Sequence, residues 1–202
     1  LKASGAGSEI RGETVKDFFA NWLAGKELGA ARDTFLRYRS TVDLFMAHLG
    51  KRSTLPLSAI GARDIEDFRN SRLKLVSAST VSDDLKIVRT AFNKARKQGA
   101  IQTNPCEAVD FPKSVAQTRE AFTASEVKAL VATASAEWKT PILLSFYAGL
   151  RLGDAIRLDW QAVDFSKGLL TFKAQKTKRL ESLPLHPTLR RHLEQIAGDT
   201  AG

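Results

Sequence analysis

The stretch "AGLRLGDAIRLDWQAVDFSKGLLTFKAQKTKRLESLPLHP", residues 148–187, changes its hydrophobic period along its length. Its first part continues a helical pattern, whereas residues 168–175 and 179–185 have the composition and alternation of strands. These two strand-like runs flank "QKTKR", which predicts a hairpin with Lys176 and Lys178 at its tip. This end of the chain is therefore predicted to be α+β.

Helices are predicted on both sides of that hairpin. Thr123 and Glu126 have the spacing of a capping box and precede an apolar run of helical period. The sequence "HPTLRRHLEQIA" after the second strand returns to a helical pattern. The predicted helices of this half lie at about residues 123–135, 139–149, from about 152, and 186–197.

Arg151 is an unusual residue for the apolar surroundings in which it occurs. Gly149 is expected to end a helix, with Leu150 and Leu152 in the core and Arg151 pointing the opposite way. Asp154, in the first turn of the next helix, can pair with the guanidinium or cap backbone N–H groups. A guanidinium here needs an anionic partner, either a protein carboxylate or an external phosphate. The residues alone leave both alternatives open.

The first half of the chain is predicted to be entirely helical. Apolar residues recur at intervals of three and four, and Gly50 and Gly99 follow the second and fourth helices. Asn104-Pro105 and Pro112 then interrupt regular structure. The predicted segments are a flexible tail at 1–12, helices at 14–24, 31–49, 62–74 and 79–98, and a linker at 101–120.

The fourth helix has two chemically different faces. Its apolar stripe consists of Val81, Leu85, Val88, Phe92 and Ala95. Its other face carries cations and an amide, which are the side chains that reach phosphates and base edges in DNA. The alternative interpretation of this helix is an ordinary amphipathic helix with solvated lysines. The alternative interpretation of Lys176 and Lys178 is likewise a solvated turn. The polar positions of interest are Ser79, Thr80, Lys86, Arg89, Asn93 and Lys97.

Composition limits the classes of protein to which the chain can belong. Its net charge of +9, spread over both halves, favours a polyanionic partner. No run approaches the ~20 apolar residues needed to span a bilayer, and the N-terminus lacks the apolar core of a secretory signal. The single cysteine, Cys106, is interpreted as an incidental loop thiol that forms no metal-type cluster with the three histidines. We expect a cytoplasmic protein without metal or cofactor.

Residues 148–187 resemble the catalytic domain of the tyrosine recombinases, the phage integrase family. Gly149-Leu150-Arg151, the following Gly-Asp and Leu-x-Trp, and the hairpin lysine occur in the family's order. The preceding half resembles the family's core-binding domain. The resemblance implies a mainly α protein in which a four-helix, SAM-like core-binding domain precedes the α+β first half of a catalytic domain with a small antiparallel sheet. In the family these domains form a C-shaped clamp around duplex DNA. The implied domains are residues 13–100 and 121–202.

The resemblance also implies roles for individual residues. Arg151 matches the first catalytic arginine, which grips the scissile phosphate, and Asp154 matches an acidic residue that supports it. Lys176 matches the hairpin lysine that acts as general acid, with Lys178 as an alternative. The expected partner is double-stranded DNA. The residues expected to contact it are Arg37, Ser79, Thr80, Lys86, Arg89 and Asn93.

Three further elements of the family's active site have no match in the sequence. They are a His-x-x-Arg box, a further His or Trp, and a tyrosine nucleophile near the C-terminus. His186 begins "HPTLR", which has one residue too many between the histidine and the arginine for a His-x-x-Arg box. His186 is therefore interpreted as a surface or capping residue. His192 is interpreted as a helix-surface residue. The two tyrosines are Tyr38, in the second helix, and Tyr147, which is expected in the core.

These 202 residues are therefore expected to be part of a longer site-specific recombinase that works through a phosphotyrosyl intermediate, and to bind DNA without cleaving it. We expect a monomer off DNA and a tetramer of the full-length protein on paired recombination sites. The alternatives are a non-catalytic DNA-binding regulator derived from an integrase and a helical interaction module.

Overall fold

The computed structural model of the chain describes residues 12–113 and 120–200, with side chains to residue 198. Except for Gly12, the predicted tail lies outside the described residues, as does part of the predicted linker at 114–119. The chain divides into two compact units, residues 1–117 and 118–202. The first is helical and the second combines helices with a small antiparallel sheet, which confirms the predicted fold class. No described helix has the length and apolar character that a bilayer crossing requires.

Four α-helices build the first unit, and all four were predicted. The first begins after Thr14, whose hydroxyl accepts a hydrogen bond from the Asp17 N–H at 3.2 Å. The second ends at Gly50, which has a φ of +52° that a side chain would disfavour. Two short 3₁₀ helices follow it at Gly50–Thr54 and Leu57–Ala59. The helices are α1 (Val15–Glu27), α2 (Arg32–Leu49), α3 (Ala62–Leu73) and α4 (Ala78–Lys97).

The core of the first unit is built around buried phenylalanine rings from all four helices. Phe19 packs edge-on against Phe92 with centroids 5.5 Å apart, and Phe45 packs edge-on against Phe68 at 5.1 Å. Edge-to-face packing aligns the positive ring edge with the negative face, which adds to the hydrophobic stabilisation. The apolar stripe predicted for α4 is confirmed. Its members Val81, Leu85, Val88, Phe92 and Ala95 are fully buried.

The first part of the predicted linker is not a free connection. Ile101, Cys106 and Val109 are buried in the core of the first unit, and Pro105–Ala108 form a 3₁₀ turn. Burial raises the pKa of the Cys106 thiol to about 12, so this cysteine packs as a small apolar side chain. Proline spacing suggested a linker because it marks an interruption of helix, but it does not reveal whether an irregular segment packs.

The second unit begins with the predicted capping box. The Glu126 N–H donates to Thr123 Oγ1 and the Thr123 N–H donates to Glu126 Oε2. The second helix of this unit ends at Gly149, whose φ of +66° lies in the left-handed region. The helices are α5 (Ala124–Thr133), α6 (Ala136–Ala148), α7 (Leu152–Ile156) and α8 (Pro187–Thr200).

A three-stranded antiparallel sheet lies between α7 and α8 in the chain order. Strands β2 (Leu169–Lys173) and β3 (Leu180–Pro184) form the predicted hairpin, with Phe172 opposite Glu181. Strand β1 (Val163–Asp164) was not predicted, because two residues carry no readable period. Leu150 is buried as expected, but Leu152 is 51% exposed, so its assignment to the core was wrong.

Candidate nucleic-acid interface

Arg151 lies at a shallow cavity of about 340 Å³ within the second unit. The cavity is bounded by the end of α6, the start of α7 and the inner face of the hairpin. Its polar lining comes from both of the motifs that the sequence analysis singled out. The polar lining residues are Arg151, Asp154, Thr177 and Glu181.

Arg151 is an exposed residue. Arg151 is the N-cap residue of α7, and its backbone carbonyl accepts hydrogen bonds from the Asp154 and Ala155 N–H groups at 2.8 and 2.9 Å. Across the described part of the chain no ion pair involves Arg151. Of the two partners left open by the sequence, a protein carboxylate is therefore not the one found, and the guanidinium is available to an external anion.

Asp154 binds the hairpin rather than Arg151. The residue is only 7% exposed, and its Oδ1 accepts a hydrogen bond from the Gln175 N–H at 2.9 Å. Gln175 directly precedes Lys176, so this bond ties the first turn of α7 to the chain beside the hairpin lysine. A hydrogen bond to a charged acceptor in a partly buried setting is stronger than one between neutral groups. The carboxylate thereby holds the Arg151 and Lys176 segments together.

The hairpin tip is a defined turn. The Ala174 N–H donates to the Arg179 carbonyl at 2.9 Å, and the Lys178 N–H donates to the Ala174 carbonyl at 2.8 Å. Lys178 has a φ of +57°, a left-handed conformation that costs a non-glycine residue about 1–2 kcal/mol. Lys176 and Lys178 are both exposed, at the predicted tip.

Glu181 is a cavity residue that the sequence analysis missed. Along β3 the exposed and half-buried residues alternate, and Glu181 falls on the same face as Leu183, which packs against the core of the second unit. The strand period could have placed it there, because residues two apart share a face. Sequence reasoning instead treated the segment only as a support for the lysines.

The cationic face of α4 is partly engaged in contacts within the first unit. Lys86 pairs with Asp83 at 2.8 Å, and both side chains are more than half exposed, so the pair contributes little to stability. The Arg89 guanidinium lies 5.6 Å from the centroid of the Phe111 ring. Asn93 is half-buried, and its Oδ1 accepts a hydrogen bond from Asn104 Nδ2 at 2.9 Å.

The start of α4 is capped by Ser77, which lies two residues before Ser79 and three before Thr80. Its hydroxyl accepts from the Thr80 N–H at 3.3 Å, and the Ser77 and Thr80 hydroxyls are 3.0 Å apart. Ser79 is exposed, whereas Thr80 is half-buried. Of the two hydroxyls, that of Ser79 is therefore the more accessible one.

Arg37 lies in a network that the sequence analysis did not find. Its Nη2 donates to Oδ1 of Asp84 at 2.9 Å, and Arg72 donates through Nε to Oδ2 at 3.1 Å. Asp84 is 1% exposed and lies on α4, where its polar character interrupts the buried face. A buried aspartate needs compensation, and this signal was available in the sequence, but the partners on other helices were not.

The remaining polar side chains of interest lie elsewhere in the second unit. The imidazole of His186 stacks on the Tyr147 ring at 4.2 Å and its Nδ1 accepts from the Thr188 N–H, which confirms the capping interpretation. Tyr147 is half-buried rather than fully in the core. His192 is also half-buried, and its Nε2 lies 2.9 Å from Thr140 Oγ1, so its interpretation as a helix-surface residue was wrong.

Comparison with known protein families gives one match in the N-terminal part. Residues 14–111 match the phage integrase SAM-like domain family. The chain is 24% identical over 196 residues to a tyrosine recombinase of Thermosipho africanus, an alignment that covers 90% of this chain and 68% of that protein. It is 26% identical over 148 residues to the tyrosine recombinase XerC of Herpetosiphon aurantiacus, covering 69% of this chain and 48% of the relative.

Solved structures with a similar fold include two integrases. A lambda integrase dimer bound to a COC′ core site superposes with a TM-score of 0.74 at 21% identity, over 85% of this chain and 49% of that one. The Tn1549 transposon integrase in complex with circular intermediate DNA superposes with a TM-score of 0.73 at 13% identity, over 92% of this chain and 64% of that one. The present chain thus spans about half to two thirds of the length of the proteins it resembles.

Proposed function

We propose that this chain, which is similar to tyrosine recombinases and integrases, belongs to an enzyme that cuts and rejoins duplex DNA at specific sites. The match of residues 14–111 to the phage integrase SAM-like domain family is the premise of this proposal. The observation that carries the proposal is the exposed, unpaired guanidinium of Arg151 at the cavity whose other wall is the lysine hairpin. A phosphodiester is the anion that such a site in a basic protein would take.

Arg151 is proposed to hold the scissile phosphate. Its planar fork can bind two phosphate oxygens, and its charge offsets the negative charge that develops as the phosphorus becomes pentavalent. Lys176 is proposed to donate a proton to the 5′ oxygen that leaves, with Lys178 as the alternative donor. Asp154 supports both by fixing the hairpin next to α7 through its bond to the Gln175 N–H.

The covalent step needs an attacking tyrosine hydroxyl, and neither tyrosine of the chain lines the cavity. In that step the tyrosine hydroxyl would lose its proton to water and its oxygen would bond to phosphorus. The bond from phosphorus to the 5′ oxygen would break, and the lysine proton would go to that oxygen. Tyr38 is engaged with Trp22 at a ring distance of 5.4 Å, and Tyr147 stacks on His186. The 202 residues are therefore proposed to bind DNA without forming a covalent adduct.

The first unit is proposed to contribute sequence-independent and base contacts through α2 and α4. The contact residues proposed on them are Arg37, Ser79, Thr80, Lys86, Arg89 and Asn93. We propose residues 13–100 as this core-binding domain and 121–202 as the partial catalytic domain. The protein is further proposed to be cytoplasmic, monomeric in the absence of DNA, and tetrameric on paired sites in its full-length form.

Two measurements on the 202-residue chain test this function. Binding to a labelled duplex is measured by fluorescence anisotropy at increasing salt, and released counterions should lower the affinity steeply. Incubation with a nicked suicide duplex then reports covalent chemistry as a band that survives denaturing electrophoresis. Binding without such a band is the expected result. A lack of binding at low salt would remove the proposed function, and a covalent band would show that the chain holds its own nucleophile.

A further inference from the structure

The Asp84 carboxylate joins three helices of the first unit. Besides Arg37 on α2 and Arg72 on α3, it accepts a hydrogen bond from the Thr41 hydroxyl at 3.1 Å. Asp84 and Thr41 are each 1% exposed. Removal of one partner from such a buried charged cluster leaves uncompensated charge behind. Each of these contacts therefore helps to compensate the buried charge of Asp84.

Arg37 differs from the other members of the cluster because it reaches the surface. Its side chain is 45% exposed, whereas that of Arg72 is 13% exposed. Only Nη2 of Arg37 is bonded to Asp84. Within the described residues its Nε and Nη1 make no hydrogen bond, so donors of a half-exposed guanidinium remain available to another anion.

The charge of the cluster adds to this asymmetry. Two guanidinium groups surround one carboxylate, so the cluster carries a net positive charge, and the exposed Arg37 presents it at the surface. An arginine on a flexible stem loses side-chain entropy when it binds a phosphate. One that is already held by an ion pair loses less, so the same contact gives a higher affinity.

We propose that Asp84 is a positioning residue for DNA binding, which holds Arg37 with its free N–H groups directed at a backbone phosphate of the duplex. This inference rests on the proposed function, because it assumes that the first unit binds DNA. In this inference Arg37 contacts Asp84 and a DNA phosphate at the same time, so the ion pair with Asp84 does not compete with DNA binding.

The chain offers a matched control pair in the same unit. Arg52 lies 2.7 Å from Asp64 and is 50% exposed, close to the 45% of Arg37. Arg37→Gln and Arg52→Gln each remove one positive charge from an ion pair whose arginine is about half exposed. Asp84→Asn and Asp64→Asn each raise the net charge by one.

The two explanations of the role of Asp84 predict opposite changes in DNA affinity for Asp84→Asn. If net charge alone governs binding, Asp84→Asn tightens it, because a negative charge is lost. If Asp84 positions Arg37, Asp84→Asn weakens binding about fivefold despite the added charge, and has no further effect in the Arg37→Gln background. Arg37→Gln should weaken binding about tenfold and lower the slope of log affinity against log salt by about 0.9, as loss of one phosphate contact requires. Arg52→Gln and Asp64→Asn should not weaken binding by more than about twofold.

The test is a double-mutant cycle on the full chain, with anisotropy of a short fluorescein-labelled duplex of mixed sequence at several salt concentrations. Circular dichroism establishes that each variant is folded at the temperature of measurement. If Asp84→Asn does not fold, Arg37→Lys takes its place, since it keeps the charge but loses the fork, and it should weaken binding about fivefold.

Each outcome decides something different. Failure of the unaltered chain to bind overturns the proposed function and this inference with it. If the unaltered chain binds DNA, three results overturn the inference alone. They are a higher DNA affinity of Asp84→Asn, an affinity of Arg37→Gln equal to that of Arg52→Gln, and an affinity of Arg37→Lys equal to that of the unaltered chain.

Discussion

Replacement of Asp154 by alanine should release the lysine hairpin from α7. The Asp154 carboxylate is buried, and its Oδ1 accepts the Gln175 N–H at 2.9 Å. A hydrogen bond to a charged group contributes about 1.5–3 kcal/mol. Local opening at Gln175 should therefore become roughly ten- to a hundredfold more frequent in Asp154→Ala.

Amide hydrogen exchange followed by NMR measures this opening residue by residue. Gln175 and the turn around Lys178 should lose protection, whereas the amide of Leu170, in the buried part of β2, should keep it. Asp154→Asn should lie between the alanine variant and the unaltered chain, because the amide oxygen can still accept the bond but carries no charge.

Asp159→Ala is the matched control. Its carboxylate accepts from the Gln161 N–H at 3.4 Å in an exposed position, so its loss should change protection at the hairpin little. Unchanged protection of Gln175 in Asp154→Ala would refute the argument that this carboxylate fixes the hairpin. Equal losses in both variants would attribute the effect to general destabilisation of the second unit.

Three further results are expected. Phe92→Ala should lower the free energy of unfolding by about 3–5 kcal/mol in urea titrations, because Phe92 is fully buried against the rings of Phe19 and Phe45; a loss below ~1 kcal/mol would contradict a close-packed core. Gly149→Ala should destabilise the second unit by about 1–2 kcal/mol through backbone strain, since the φ of Gly149 is +66° and no atom lies within 4 Å of the added methyl. Gly25→Ala, inside α1 with equally open space, should stabilise the first unit by about 0.5–1 kcal/mol. Equal shifts in melting temperature would exclude backbone strain as the cause. Burial, aided by the charge of Lys139, lowers the pKa of His192 from 6.5 in the folded chain. The unfolded chain therefore binds a proton at this residue more readily, and the free energy of unfolding should fall as the pH drops below about 6.5. His192→Gln should remove this pH dependence, and a dependence that persists in the variant would assign the titration to another group.

The sequence determined every α-helix of the structure and the β2–β3 hairpin, although it missed the two residues of β1. These elements could be predicted because their signals are local. The capping box at Thr123, the glycine after α2 and the strand alternation after Gly168 each act within a few residues of chain. The resemblance to the integrase family was readable for the same reason, since its motif occupies one continuous stretch.

What lies between elements was decided only by the tertiary structure. The sequence allowed Asp154 to pair with Arg151 or to cap a helix, but it binds the Gln175 N–H, 21 residues away. It showed Arg37 and Asp84 on separate helices, and their ion pair spans 47 residues. It suggested a linker from residue 101, yet Ile101, Cys106 and Val109 pack into the core. The physical reason is common to these cases: a buried polar or apolar group takes whichever partner the packed chain brings to it, and periodicity specifies which face a residue occupies but not what lies opposite.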